Sequence, residues 1–262
     1  MQALEFRSSG GQKYRVNLPA PLEGMQSAFL FSFHKSGSTL MDGMIRVYCK
    51  SFNIPTFSLF NAAFDSGIPT GEVGEDAAVC FSGHGRIYTG FRHFPNFELD
   101  LTGVKSILLV RDPRDMLVSW YYSVTLSHVA PRKHRKFLEK RTQASLMSID
   151  EFALDKARIY RNSFRKYQRM LPAETLNSYR YEDVIYKKSE WLQDLVTKLE
   201  LPQDRQLIRK TAEKFDIFPE NENQDKHIRQ VHPGNYKNKL KTESIRKLNE
   251  ELGEFLRFYN YL

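Results

Sequence analysis

Phe29-Leu30-Phe31-Ser32-Phe33-His34-Lys35-Ser36-Gly37-Ser38-Thr39-Leu40, FLFSFHKSGSTL, changes character along its length. Its apolar half reads as a buried strand, a lysine, a glycine and hydroxyl residues then form a turn, and the following MDGMIRVYCK carries helical periodicity. A strand that turns straight into a helix gathers backbone N–H groups at the positive end of the helix dipole, a site suited to phosphate or sulfate. Gly37 lets the backbone close around oxygens, Ser36, Ser38 and Thr39 add donors, and Lys35 adds a point charge. The turn is not a Walker A loop, which places its lysine after the second glycine, whereas Lys35 precedes Gly37. The same residues also suit an ordinary strand-to-helix turn with a serine cap.

Outward from this turn, strands alternate with helices. Short apolar runs at 28–33, 77–81 and 105–110 are bounded by Gly, Asp or Pro, as buried parallel strands are, and a further strand is expected at 175–181. Ser148-Ile149-Asp150-Glu151 has the form of a capping box opening an amphipathic helix that Pro172 closes. Later helices are expected through DVIYKKSEWLQDLVTKLE and ESIRKLNEELGEFLRFYNYL. This alternation predicts an α/β fold in which helices cover both faces of a central parallel sheet. The 262 residues suffice for one large domain, with residues 1–26 as a peripheral segment.

Composition sets the class. Hydrophobic residues at 41% and charged residues at 27% indicate a folded globular chain. The start lacks a secretory signal pattern and no apolar run reaches the ~20 residues of a membrane span, so a cytoplasmic protein is expected. Cys49 and Cys80 have no histidines at zinc spacing and read as buried thiols. The net charge of +8 suits anionic ligands. Six Lys or Arg residues crowd into RKHRKFLEKR (132–141) without the interleaved aromatics of a single-strand-binding surface, so nucleic acid is not the expected partner. That stretch reads equally as an anion-attracting rim or a solvated loop.

A second motif is ILLVRDPRDMLVSWYYS, 107–123. A strand ends at Val110, Arg111 stands at its carboxyl edge, and Pro113 opens a helix that carries Ser119 two turns on. Arg111 and Ser119 suit a second anion, while Asp112 or Asp115 offers Arg111 a competing ion pair. Two separated anion motifs suggest a ligand with two separate anionic groups.

FHKSGSTL resembles the 5′-phosphosulfate loop, Y-P-K-S-G-T-T-W, of sulfotransferases that use 3′-phosphoadenosine-5′-phosphosulfate (PAPS). RDPRDMLVSWYYS is similar to their 3′-phosphate motif, YRYEDV to their Y-E-D segment, and RQVHPGNYKNKL to R-K-G-x-x-G-D-W. The resemblance runs from about residue 28 to the C-terminus. It implies a P-loop-like fold, with Lys35, Ser36, Gly37, Ser38 and Thr39 at the 5′-phosphate, Arg111, Ser119, Arg229 and Gly234 at or near the 3′-phosphate, and Tyr181 near adenine. It implies sulfuryl transfer to a hydroxyl or amine of a small-molecule or glycan acceptor, with PAPS as donor, 3′-phosphoadenosine-5′-phosphate (PAP) as product, and no required metal. His34 and Leu40 replace the pattern's proline and tryptophan, and Gln230, Val231, Asn235 and Tyr236 depart from its last motif, marking a divergent branch.

The acceptor base has two candidates. His93, in HFP, matches a histidine that follows this pattern in many family members; His84, in SGHGR, follows the run at 77–81 in a glycine-flanked turn where it would face the cleft. A carboxylate is the third option. Two other classes compete with the transferase: a P-loop kinase or nucleotide hydrolase using Asp112 for magnesium, and a catalytically silent nucleotide-binding module.

Overall fold

A computed structural model describes residues 1–127, 141–219 and 231–262. Its centre is a parallel sheet of five strands, ordered β4-β5-β3-β6-β7: β3 (Ala28–Ser32), β4 (Thr56–Phe57), β5 (Ile87–Phe91), β6 (Lys105–Val110) and β7 (Leu176–Arg180). An antiparallel hairpin of β1 (Gln2–Arg7) and β2 (Lys13–Leu18) precedes it.

Alternation along each strand divides the core. Phe29 and Phe31 of β3, Tyr88 of β5, and Leu108 and Val110 of β6 join one cluster. Ala28 and Leu30, Ile87, and Ile107 and Leu109 join the other, so the sheet is buried on both faces. The first cluster is closed by α2 (Leu59–Asp65), α3 (Pro113–Tyr122) and α4 (Ile149–Met170), the second by α1 (Ser38–Ser51) and the helix Lys188–Lys198. The Ser148–Glu151 capping box forms, with the Glu151 amide donating to Ser148 and the Ser148 amide to Glu151. The chain leaves α4 at Leu171, just before Pro172. Both thiols are buried.

Several expectations are corrected. Residues 77–81 are not a strand: Glu75–Cys80 forms a 3-10 helix, and the strand beside β3 is Ile87–Phe91. Gly90 masks that strand in the sequence. It sits at φ 80°, and the β3–β5 register shifts between Phe29 and Phe31, a bulge that turns the chain beyond Phe91. The first of the two expected later helices divides into Tyr181–Val184 and Lys188–Lys198, the second into Thr242–Glu251 and Gly253–Phe258. The N-terminal segment supplies core as well as periphery: Phe6, Tyr14, Val16 and Leu18 point inward while Glu5, Lys13 and Arg15 face solvent. No described helix is long and apolar enough to cross a membrane.

Candidate active site

β3 ends in the turn that opened the sequence reading. Lys35 holds a left-handed backbone at φ 68° and Gly37 at φ 100°, and for Lys35 that conformation costs about 1–2 kcal/mol. Strain of this kind is kept where the surroundings over-determine it. Ser36 supplies part of that constraint: its hydroxyl donates to the carbonyls of Phe33 (2.7 Å) and Leu109 (3.1 Å), and its amide to Phe33. Its donors are therefore spent inside the turn, and Ser36 shapes the loop. Gly37 precedes α1 with no side chain capping that helix end, which leaves the first-turn amides directed at the cleft. A β-carbon at Gly37 would lie 2.9 Å from the Tyr181 ring, so only glycine lets the ring close on the loop. Thr39 is exposed at the mouth and Ser38 is buried.

Tyr181 carries the next link. Its ring underlies the Arg111 guanidinium at 4.4 Å, and its hydroxyl donates to the Val231 carbonyl at 2.8 Å. Arg111 is buried and 3.4 Å from Asp115. Burial opposes its charge, but Asp115, Tyr181 and Glu182 outweigh that and hold its pKa above the ordinary value. Asp115 also receives the amides of Gly234 (2.6 Å) and Tyr236 (2.9 Å). One carboxylate thus fixes both Arg111 and the loop before the C-terminal helices. Ser119 lies half-buried two turns along α3. Arg229 and residues 132–140 of the basic stretch lie outside the described residues.

The competing ion pair is resolved by position. Asp112 caps α3 by accepting the Arg114 amide and receives the Arg114 guanidinium at 2.6 Å. Arg114 continues to Asn249 (2.7 Å) and to the Tyr261 carbonyl (3.1 Å), which ties the C-terminus down. RDPRD therefore divides its contacts: Arg111 and Asp115 join Tyr181 and the Gly234 loop, while Asp112 and Arg114 tie α3 to the C-terminal segment.

His93, beyond β5, comes to the same edge. Its ring stacks on His34 with centroids 5.9 Å apart. The ring is exposed by area, yet surrounding protein, then the positive charges of Arg92 and Lys166, hold its pKa below the ordinary histidine value. His84 does not face the cleft. It bridges Gln26 before β3, at the amino edge of the sheet, and the strand rise places that edge about 20 Å from Phe33. The expectation failed because the run at 77–81 is not the strand that leads to the cleft.

Residues 93–257, more than half of the chain, match the sulfotransferase domain. The chain belongs to the sulfotransferase domain family. A search of curated proteins finds no match by sequence. Among solved structures, mouse sulfotransferase SULT7A1 complexed with PAP shares 15% identity at a TM-score of 0.56, covering 88% of this chain and 84% of its own. Retinol dehydratase in complex with androsterone and inactive cofactor PAP shares 12% identity at a TM-score of 0.54, with 88% and 80% covered. At these identities the likeness establishes the shared fold, and the family establishes sulfuryl transfer as the general class of chemistry.

The residues fit a nucleotide with two anionic ends. Among the described residues, Arg111 Nε and Asn235 Nδ2 belong to the buried polar atoms without a hydrogen-bond partner, and donors of this kind suit an anionic ligand. Of the two ion pairs the sequence offered Arg111, the one with Asp115 forms; what the sequence did not signal is that Asp115 also receives the amides of Gly234 and Tyr236. It also passed over Tyr160 and Trp120, which reach His34 from distant positions with no local signal.

Proposed function

We propose that the protein transfers a sulfuryl group from PAPS to a hydroxyl or amine of a small-molecule or glycan acceptor, in the cytoplasm and without a required metal. The observation that carries this reading is the convergence of the Lys35 turn, Arg111 on Tyr181, the Gly234 loop and His93 at one edge of the sheet. When bound, the donor supplies an activated sulfuryl group. Ser38 and Thr39, with the amide of Gly37, cradle its 5′-phosphate, and Lys35 balances the charge that grows there as the sulfuryl group departs. Arg111, with Ser119 and Arg229, takes the 3′-phosphate, and Tyr181 and Gly234 hold that end of the cleft. His93, neutral at pH 7 because its pKa is lowered, accepts the proton of the attacking hydroxyl.

Calorimetric binding of PAP, with ATP and ADP as competitors and with and without magnesium, tests the donor assignment. Metal-independent PAP binding that ATP does not displace is the expected result. Preference for magnesium-ATP would replace this reading with a kinase. The full engagement of Asp112 by Arg114 supports the transferase over that alternative.

A further inference from the structure

β5 outruns its edge neighbour. Its pairing with β4 ends at Phe57 and Tyr88, so Thr89 and Gly90 meet helix residues in place of a strand. The Thr89 hydroxyl donates to Asp42 of α1. Gly90, at φ 80°, lies so close to Ser58 that a β-carbon there would overlap the serine hydroxyl. The chain then turns and delivers Arg92, half-buried, to the carboxyl edge of the sheet immediately before His93. Arg92 Nη1 donates to Asn61 Oδ1, in α2, at 3.2 Å. Asn61 in turn donates through Nδ2 to Asp42 at 3.4 Å, so both ends of its amide are used and the guanidinium has a fixed seat.

Asp42 is the carboxylate placed to neutralise Arg92, but it is spent elsewhere: it accepts from Thr89 and Asn61 and pairs with Arg46 at 3.7 Å. Among the described residues Arg92 has no carboxylate at ion-pair distance, and its hydrogen-bond partner is a neutral amide. Burial lowers its pKa and the field of Asp42 does not restore it, the reverse of the balance at Arg111. Lys166, the other cation acting on His93, gives its ammonium to the carbonyls of Phe94 (3.4 Å) and Pro95 (2.8 Å) and to the Asn96 side chain (3.4 Å). Of these two cations, Arg92 is the one with donors left over, and a planar guanidinium with spare N–H groups matches an oxyanion through two parallel hydrogen bonds.

We propose that Arg92 binds the acceptor, and that the acceptor carries its own oxyanion, a carboxylate or phosphate ester, close to the hydroxyl or amine that receives the sulfuryl group. The inference rests on the sulfotransferase reading, in which His93, next in the chain, takes the acceptor proton. An anion held by Arg92 therefore stands beside the reacting group. It also offsets one of the positive charges that lower the His93 pKa.

The experiment titrates the PAP-saturated protein with 4-hydroxybenzoate, phenyl phosphate and the neutral 4-hydroxybenzamide, following the Arg92 Nε–H signal and the His93 ring by NMR. PAP fills the donor site, so the probes are read away from Arg111. The proposal expects at least one anionic probe to bind about tenfold or more tightly than the amide and to raise the His93 titration midpoint. The tighter of the two anions names the group the acceptor carries. In Arg92→Gln, which keeps a donor for Asn61, the preference disappears while PAP affinity stays. The signal is assigned through its loss in Arg92→Lys, which keeps the charge, so the wild-type titrations decide even if Arg92→Gln does not fold. The proposal is overturned if the amide binds as tightly as both anions, if Arg92→Gln keeps the preference, or if no probe moves the Arg92 signal up to its solubility. A wild type that fails to bind PAP instead overturns the donor reading, and the same titrations of the unliganded protein, read at Arg92, still decide this assignment.

Discussion

Arg111 keeps its charge inside the protein because the residues around it compensate for lost water: Asp115 beside it, the Tyr181 face beneath it, and Glu182 nearby. Its Nε has no hydrogen-bond partner among the described residues, so on the proposed function Arg111→Ala is expected to weaken PAP binding by roughly 10- to 100-fold, about the worth of a charged hydrogen bond, in calorimetry. Lys35→Ala is expected to cut PAP release from PAPS by about 100-fold or more, with circular dichroism unchanged. Near-normal turnover in that variant would remove Lys35 from the chemistry. His93 carries a pH prediction. Its folded pKa is lowered, so the proton-accepting form persists as pH falls and declines only below the ordinary value of ~6.5. The profile of kcat/KM is expected to stay flat from pH 8 to 6.5, and a midpoint above 6.5 would contradict the assignment.

At the scale of elements, the site is made where β3, β5 and β6 end and two helices begin. The turn after β3 requires glycine at Gly37 for both its φ of 100° and the Tyr181 ring. Gly37→Ala is therefore expected to cost about 1–2 kcal/mol in backbone strain alone and to lower PAP affinity by displacing Tyr181, both readable from denaturant melts and calorimetry. Asp115 joins α3 to the segment before Tyr236–Lys239. Asp115→Ala leaves Arg111 buried beside two freed amides, and breaking such a pair costs about 3–5 kcal/mol. A lower denaturation midpoint together with weaker PAP binding is the expected outcome; loss of binding alone would mean the loop holds its place by other contacts.

Across the whole molecule, the N-terminal hairpin belongs to the same core as the site. Phe6, Tyr14, Val16 and Leu18 are buried with Phe29, Phe31 and Phe33 of the strand that leads to Lys35. Full burial of one such side chain is worth about 1.5–3 kcal/mol, so deleting residues 1–18 is expected to remove most of the net stability, seen as loss of the cooperative thermal transition. Much of the architecture was legible in the chain. Strands β3 and β6 declare themselves because parallel strands buried on both faces are continuous apolar runs, and the capping box and Pro172 mark α4 because caps and breakers act locally. The turn and RDPRD read as candidate anion motifs because glycine, lysine and arginine at strand ends suit anionic ligands. β5 was hidden because Gly90 interrupts its pattern, and the hairpin because its alternation is short. By itself, the sequence determined the parallel sheet and the residue types of the two candidate anion motifs, since these depend on neighbours within a few positions. Only the tertiary structure decided that His93 joins the cleft while His84 sits at the opposite edge, that Ser36 is spent within the turn, that Asp115 holds Arg111 and the Gly234 loop together, and that the Tyr160 hydroxyl ties down the His34 carbonyl. Those choices rest on contacts between residues far apart in the chain, which the packing of helices against the sheet creates and no local pattern encodes.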